Sequence, residues 1–300
     1  MNKGYLDFIS YVKNNKLGLI EIDAELKNYC TLKIGGKCYC VYKPDTINNL
    51  IKAYNYILRR KIDYEVIGNG SNLLISDEYH FKIFICLKWL NQVSFKENTA
   101  IASSGVMGNV LSKKLSLNQI SGLEFLAGIP GTIGGMIYMN AGAWGKSISE
   151  VIKSITYLDE FGKVCIMNNI RKLGFGYRKS PFMKRKVIII SCEFELKEDS
   201  SSIKLYYDYL EKKKKTQPLK EKSAGCTFKN PNNLYAWKLI NETNTIRKIN
   251  DAEISNIHSN FFINNNNASF NDMRELIKRV QEDVFNTHHI SLELELNIIE

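Results

Sequence analysis

No apolar run in this sequence approaches the roughly 20 residues that span a bilayer, which removes the membrane-spanning classes. The start, MNKGYLDFISYVKNN, is broken by Asp7 and has no long apolar core, so it does not read as a secretory signal. There is no C-x-x-C pair and no Cys/His spacing suited to zinc, so no metal site is expected. The seven cysteines are odd in number and scattered, which suits a reducing compartment, and the cytoplasm is the expected location. Cys86 and Cys192 lie in apolar, β-like runs and read as small core residues. Helix-turn-helix, zinc-finger and aromatic RNA-binding patterns are missing, as is any repeat at a solenoid period.

What is present describes a globular chain. Its 300 residues are enough for two or three cores, with 44% hydrophobic and 11% aromatic residues. The net charge of +10 suits nucleic acid, a membrane surface or small anions. The basic residues are spread out, and the dense run Lys212–Lys215 ends a helical pattern, so it reads as a solvated helix end. The abundance of Asn, Ile and Lys, as in Asn264–Asn267, matches an AT-rich coding bias.

The periodicity places a short amphipathic helix first, with Tyr5, Phe8, Ile9 and Val12 on one side. Strands are expected at 37–44 and 64–76, with a helix between them. From about 93 to 198 the pattern is of short strands separated by turns. The segment 199–203 is polar and reads as a linker or turn. A helix over 203–215, the apolar run NFFINNNN, a helix over NDMRELIKRVQEDVFNTHH and an alternating strand SLELELNII complete the chain. The class is α+β, with a two-lobed amino-terminal region (about 20–87 and 93–198) and a smaller carboxy-terminal domain over 199–300.

Two loops carry the chemistry. Gly122–Gly145 holds seven glycines in 24 residues, against 19 in the whole chain. Such density signals sharp turning or close approach to a ligand. Pro130 stiffens a turn, Gly131, Gly134 and Gly135 remove side chains after it, and Thr132 offers a hydroxyl. Bare N–H groups in such a loop make an anion-binding concavity, and the expected guest is a diphosphate; a tight structural turn is the alternative. The second loop, Ile67-Gly68-Asn69-Gly70-Ser71-Asn72-Leu73-Leu74, follows an apolar strand and presents similar groups. It has no GK[ST] and no complete G-x-G-x-x-G, so it is neither a Walker loop nor a dinucleotide fingerprint.

Taken together with CTLKIGGKC (30–38), FGYRKSPF (175–182), SAGCTFKNP (223–231), HSNFFIN (258–264) and LELEL (292–296), these loops make the chain resemble the flavin reductases of peptidoglycan synthesis. This is the UDP-N-acetylenolpyruvoylglucosamine reductase family, also called UDP-N-acetylmuramate dehydrogenase or MurB, in its shorter subtype. The resemblance covers almost the whole chain. It implies an FAD-binding domain of the vanillyl-alcohol oxidase (PCMH) type over 1–198 and a substrate-binding domain over 199–300. It implies non-covalent FAD, with the diphosphate against 68–74 and 129–135: Gly68, Asn69, Gly70, Ser71, Asn72, Leu73, Ile129, Pro130, Gly131, Thr132, Gly134 and Gly135. NADPH would be the hydride donor, and the substrate would be the enolpyruvyl ether of UDP-N-acetylglucosamine. The partners implied are small molecules, with no nucleic acid and no membrane, and the chain is expected to act as a monomer.

The resemblance also assigns roles. Arg178 matches the family's catalytic arginine. Cys226 stands where the best-known members carry a serine proton donor, and Glu295 matches the catalytic carboxyl, with Glu293 as its rival. Tyr177, Lys229 and Asn230 are expected at the substrate, and His258 reads as structural. The segment NETNTIRKINDA (241–252) departs from the family's glycine-rich pattern, as does Lys222 where a proline is usual. Two other readings remain open at this point: an oxygen-using flavin oxidase of the same fold, and a basic nucleic-acid binder.

Overall fold

The computed structural model describes residues 3–96, 98–170 and 173–300. The chain begins with α1 (Lys3–Asn14), β1 (Leu19–Glu25), β2 (Lys37–Lys43), α2 (Ile47–Arg60), β3 (Tyr64–Ile67), β4 (Leu73–Ile75) and β5 (His80–Cys86). The middle holds β6 (Val93–Lys96), β7 (Thr99–Ser103), α3 (Gly108–Leu117), β8 (Ile120–Ser121), α4 (Ile133–Tyr138), β9 (Gly142–Ala143), β10 (Lys146–Ser147), β11 (Ile152–Leu158), β12 (Val164–Asn168), β13 (Ile188–Glu195) and β14 (Lys197–Glu198). The last third holds α5 (Ser202–Thr216), β15 (Ser223–Cys226), α6 (Ala236–Asn241), β16 (Lys248–Ile249), β17 (Ala252–Ile254), β18 (Phe261–Asn264), α7 (Phe270–His288) and β19 (Asn297–Ile299).

These elements form two compact units. The first comprises Met1–Ala24, Cys38–Asn69 and Phe81–Glu211; the second comprises Glu25–Lys37, Gly70–His80 and Lys212–Glu300. The boundary therefore falls inside the loop 68–74.

Among the described residues the first unit has two short two-stranded sheets, β10-β9 and β14-β8, and two larger ones. One runs in the order β1-β2-β5-β3, with β3 and β5 parallel. The helices α1 and α2 share a core with it: Tyr5, Phe8, Ile9 and Val12 are all buried, as the 3.6-residue period requires, and meet Tyr42, Leu50, Tyr54, Ile57 and Ile85. Thr46 caps α2 by accepting from Asn49 N–H at 3.1 Å. The other sheet is antiparallel, β12-β11-β13-β7-β6, and the hairpin β11–β12 keeps register from Ser154↔Asn168 to Leu158↔Val164. The helix α3 was hidden in a stretch that reads as strands and turns. It buries only Leu111 and Leu115 among large residues, beside Ser112 and Ser116, so its apolar stripe is thin in the sequence. Glu124 is buried and hydrogen-bonded: it accepts from Gly122 N–H at 2.9 Å and from the Ser202 hydroxyl at 2.7 Å. That carboxyl fixes both the entry to the glycine-rich block and the first residue of α5.

The second unit packs α7 against the antiparallel sheet β15-β18-β17-β16. Met273, Leu276, Ile277, Val280 and Val284 share its core with Phe228, Ile254, Phe262, Leu32, Ile34 and Leu74. A capping box starts α7: Asp272 N–H donates to Ser269 Oγ at 3.1 Å and Ser269 N–H to Asp272 Oδ2 at 2.9 Å. The carboxy-terminal stretch is not the continuous strand its alternation suggests. Leu294 makes an isolated bridge to Phe228, and only 297–299 forms a strand, parallel to β4. The chain changes partner between these two pairings, and Glu295 sits at the change. The polar runs also have structural uses. Lys213 is buried although its neighbours in the lysine run are exposed. Asn264 donates to Leu32 O at 3.1 Å and accepts from Ala268 N–H at 2.9 Å.

Candidate active site

In the first unit Gly68 and Asn69, the start of one loop, meet the glycine-rich loop. Asn69 Nδ2 donates to Pro130 O at 2.6 Å. A Cβ built on Gly68 would collide with Thr132 Oγ1, so the absence of a side chain there permits the approach of the loops. The glycine-rich loop is fastened behind by Gly108 N–H to Gly131 O (2.9 Å), Ile133 N–H to Val106 O (2.8 Å) and Gly134 N–H to Ser104 O (2.8 Å). Gly134 is thus a packing glycine, since a Cβ there would lie 2.8 Å from Ser104 Cβ.

The fastening leaves a defined set of donors. Gly131 and Thr132 are buried, yet neither N–H has an acceptor among the described residues; the N–H groups of the exposed Gly135 and the half-buried Asn69 also have none. Buried backbone N–H groups in folded proteins are nearly always paired. Two buried, orphaned donors, on a loop joined to Asn69 through Pro130 O, fit an anionic group such as a diphosphate. FAD is such a ligand, and Asn69, Gly131, Thr132 and Gly135 would hold it. The set of free donors is smaller than the run of glycines suggests, because Ile133 and Gly134 use their N–H groups internally.

The segment carrying Arg178 docks on the far end of the same glycine-rich block. Gly176 and Lys179 exchange backbone hydrogen bonds at 3.0 and 3.1 Å, so Tyr177 and Arg178 form the tip of a two-residue turn. Asn140 Nδ2 donates to Gly176 O at 2.8 Å and Ser180 Oγ to Tyr138 O at 2.6 Å. Arg178 has φ +50°, a left-handed conformation that costs a non-glycine residue about 1–2 kcal/mol. Strain of this kind persists where the surroundings over-determine it, often at functional sites. The Arg178 guanidinium donates to Gly142 O at 3.3 Å and lies 5.2 Å from the Tyr177 ring centroid.

In the second unit, backbone pairing joins the segment that follows Cys226 to the segment that carries Glu295. Cys226 ends β15, opposite Phe261, after a bulge in which Gly225 takes φ +79°. The following residues run antiparallel to the tail: Glu295 N–H donates to Thr227 O and Lys229 N–H to Glu293 O, both at 2.8 Å. Asn260 braces this segment from the other side. It accepts from Phe228 N–H at 2.9 Å and donates to Phe228 O at 2.8 Å through its side chain, and its carbonyl accepts from Thr227 N–H at 2.8 Å. Thr31, in CTLK, ties in a further loop: its N–H donates to Gly70 O at 3.3 Å and its hydroxyl to Ser223 O at 2.6 Å. The bracing roles of Thr31, Asn260 and Asn72 were not legible, because partners so distant in sequence leave no local pattern.

The two glutamates differ. Glu293 is 77% exposed at its side chain and pairs with Lys229 Nζ at 3.1 Å, an exposed pair worth about 0–1 kcal/mol. Glu295 is half-buried, with its backbone bonded on both sides: Asn72 Nδ2 donates to Glu295 O at 3.0 Å. Asn230 Oδ1 accepts from Ala236 N–H at 3.1 Å at the start of α6. Leu73 enters the parallel pairing with Asn297, and Ser71 O is 4.0 Å from where a Gly225 Cβ would stand. His258 is held below its ordinary pKa by burial, and its Nδ1 accepts from Asn260 N–H at 3.3 Å. Among the described residues, no group of three or more His, Cys, Asp or Glu could hold a metal ion, and no helix is long and apolar enough to cross a membrane.

Comparison with known proteins agrees with both halves of the geometry. Residues 39–168 match the model of an FAD binding domain, and 217–299 match the carboxy-terminal domain of UDP-N-acetylenolpyruvoylglucosamine reductase. A reductase of that name from Alkaliphilus oremlandii is 35% identical over 285 residues, covering 94% of this chain and 93% of the relative. The chain belongs to the UDP-N-acetylenolpyruvoylglucosamine reductase family. A second relative, from Prochlorococcus marinus, is 38% identical over 282 residues, covering 92% of this chain and 97% of its own. The crystal structure of the Thermus caldophilus reductase superposes with a TM-score of 0.80 at 31% identity, covering 94% of this chain and all of that one. A glucose dehydrogenase shares the fold alone, with a TM-score of 0.51 at 13% identity over 64% of this chain and 44% of that one.

Proposed function

We propose that this chain, as a member of the reductase family, converts the enolpyruvyl ether of UDP-N-acetylglucosamine to UDP-N-acetylmuramate with NADPH and FAD. The observation that carries the reading is the pairing, in one unit, of the Cys226 loop with the Glu295 segment, in a chain 35% identical to a named reductase over 94% of its length. Hydride chemistry is what FAD supplies when bound, with NADPH as its source and the terminal vinyl carbon of the substrate as its destination.

The chain's own residues manage charge and protons. As hydride adds to the terminal carbon, the double-bond electrons move toward the neighbouring carbon and its carboxylate. The planar Arg178 guanidinium suits a bidentate contact with that carboxylate, and its hydrogen bond to Gly142 O helps to hold it. Cys226 Sγ donates the proton to the neighbouring carbon and recovers one from solvent. A thiol is a far stronger acid than the serine hydroxyl that the family resemblance places there, so the role survives the exchange. Glu295, protonated, supports the growing negative charge; its half-buried, doubly anchored position favours it over the solvated, ion-paired Glu293. Tyr177, Lys229 and Asn230 contact the substrate. Gly68, Asn69, Gly70, Ser71 and Leu73, with Ile129–Gly135, line the cofactor, while the side chain of Asn72 is turned to the Glu295 segment. In this reading residues 1–198 serve the flavin and 199–300 the sugar nucleotide, although the compact units interleave, with 25–37 and 70–80 belonging to the second. The chain works as a cytoplasmic monomer on small molecules, without nucleic acid or membrane.

The test separates the two halves of the reaction. Cys226→Ala is expected to bind FAD and to be reduced by NADPH, while oxidation of the reduced protein by the enolpyruvyl substrate slows by about 10²–10⁴-fold, the worth of a general acid. Stopped-flow absorbance reads both steps. Oxidation by substrate at the parent rate would remove Cys226 from its role, and a protein that never binds flavin would remove the reaction.

A further inference from the structure

Asn72 lies in a Gly/Ser/Asn turn, which points to a cofactor contact, but its side chain is engaged elsewhere in its own unit. Its Nδ2 donates to the carbonyl of Glu295 at 3.0 Å, and its own carbonyl accepts from Asn297 N–H at 2.9 Å. The Glu295 N–H in turn donates to Thr227 O at 2.8 Å, one residue beyond Cys226. Both backbone polar groups of Glu295 are therefore held, one by the residue after the thiol and one by Asn72. No strand ladder does this work. Glu295 falls between the isolated Leu294–Phe228 bridge and the parallel pairing that begins at Asn297↔Leu73. Where the chain changes partners, one side-chain amide fixes the orientation of the peptide that carries the carboxyl.

We propose that Asn72 is a positioning residue for Glu295 and acts on the proton-handling step, not on cofactor binding. This rests on the role given to Glu295 above. The Asn72 amide donates to the Glu295 carbonyl at the point where the chain changes partners. Alanine leaves the carbonyl without its partner, and aspartate removes the donor and adds a negative charge beside Glu295. A charge there favours the protonated carboxyl, so its titration moves to higher pH.

The experiment uses the full chain with FAD. Asn72→Ala is expected to keep its flavin content and visible spectrum and to be reduced by NADPH within about threefold of the parent rate, while oxidation by saturating enolpyruvyl substrate falls about 10–10²-fold, the scale of a small misplacement. Asn72→Asp is expected to add what the alanine variant lacks, an upward displacement of the pH profile of that second step. Combining Asn72→Ala with Glu295→Gln is expected to be no slower than Glu295→Gln alone, as residues acting through one another are non-additive. Loss of flavin, equal slowing of both half-reactions, or additive slowing in the double variant would overturn the proposal and return Asn72 to the cofactor. If Glu295→Gln itself oxidises at the parent rate, the role of Glu295 falls and this inference falls with it; an impaired Glu295→Gln beside an unimpaired Asn72→Ala sinks the inference alone.

Discussion

Replacing Asn260 tests how the loop of the proposed proton donor is held. Asn260 is 2% exposed and its side chain satisfies both backbone groups of Phe228, which is itself fully buried. Asn260→Ala leaves that N–H and that carbonyl without partners in a dry site. Each orphaned group costs about 1–3 kcal/mol, so the pair should cost roughly 2–6 kcal/mol. On the scale of a few degrees per kcal/mol for chains of this class, calorimetry should show a fall of about 5–15 °C in the transition that carries the second unit. Asn260→Asp adds a pH signature. Its protonated form can still donate, while its ionised form cannot and is penalised by burial, so its folded pKa stands above the unfolded carboxyl value near about 3.9. A group raised in the folded state contributes its stability in full below the unfolded pKa and loses it as pH rises through the folded one. The deficit of Asn260→Asp should therefore shrink on going from about pH 8 to about pH 5, whereas the alanine deficit should not follow that course. An alanine variant melting within about 2 °C of the parent, or an aspartate deficit flat across that range, would refute the assignment.

Two other expectations follow from packing and burial. Gly68→Ala sets a methyl against Thr132 Oγ1 and should weaken FAD binding by more than about tenfold, and Thr132→Ala in the same chain should restore much of it, since the nearest remaining Thr132 atom, Cβ, is 3.4 Å away; fluorescence titration of flavin decides, and a double variant no better than the single would refute the clash. Burial pushes the Cys38 and Cys40 thiols up to about 12, raises those of Cys30 and Cys86, and raises that of the fully buried Cys192 well above its usual value, so iodoacetamide near neutral pH should modify Cys226 and Cys165 first; peptide mass spectrometry showing early label on Cys38 or Cys40 would contradict this.

Local periodicity made the outer frame legible. The spacing of Tyr5, Phe8, Ile9 and Val12, the strand-like run 37–44 and the helical pattern of α7 each state their structure locally, and the three elements appear where expected. The helix α3 was lost because two leucines among serines and lysines make a weak stripe. The tail reads as one strand because leucines alternate from 292 to 296, and burial respects that alternation, with Leu292 and Leu296 inside. The ladder does not, because its hydrogen-bond partners come from two distant places, 227–229 and 73–75.

The candidate site divides along the same line. The glycine loops announce themselves by composition, yet which N–H groups stay unpaired depends on Ser104 and Val106, residues with no signal of their own. Counting glycines overstates the cradle; following each N–H to its acceptor reduces it to Gly131, Thr132, Gly135 and Asn69. The same accounting separates Asn69, which joins one glycine loop to the other, from Asn72, which reaches the carboxyl segment. Three residues apart in one motif, the two asparagines have identical chemistry and different partners. Only the partner decides whether an amide in such a turn serves a phosphate, a loop or a catalytic backbone.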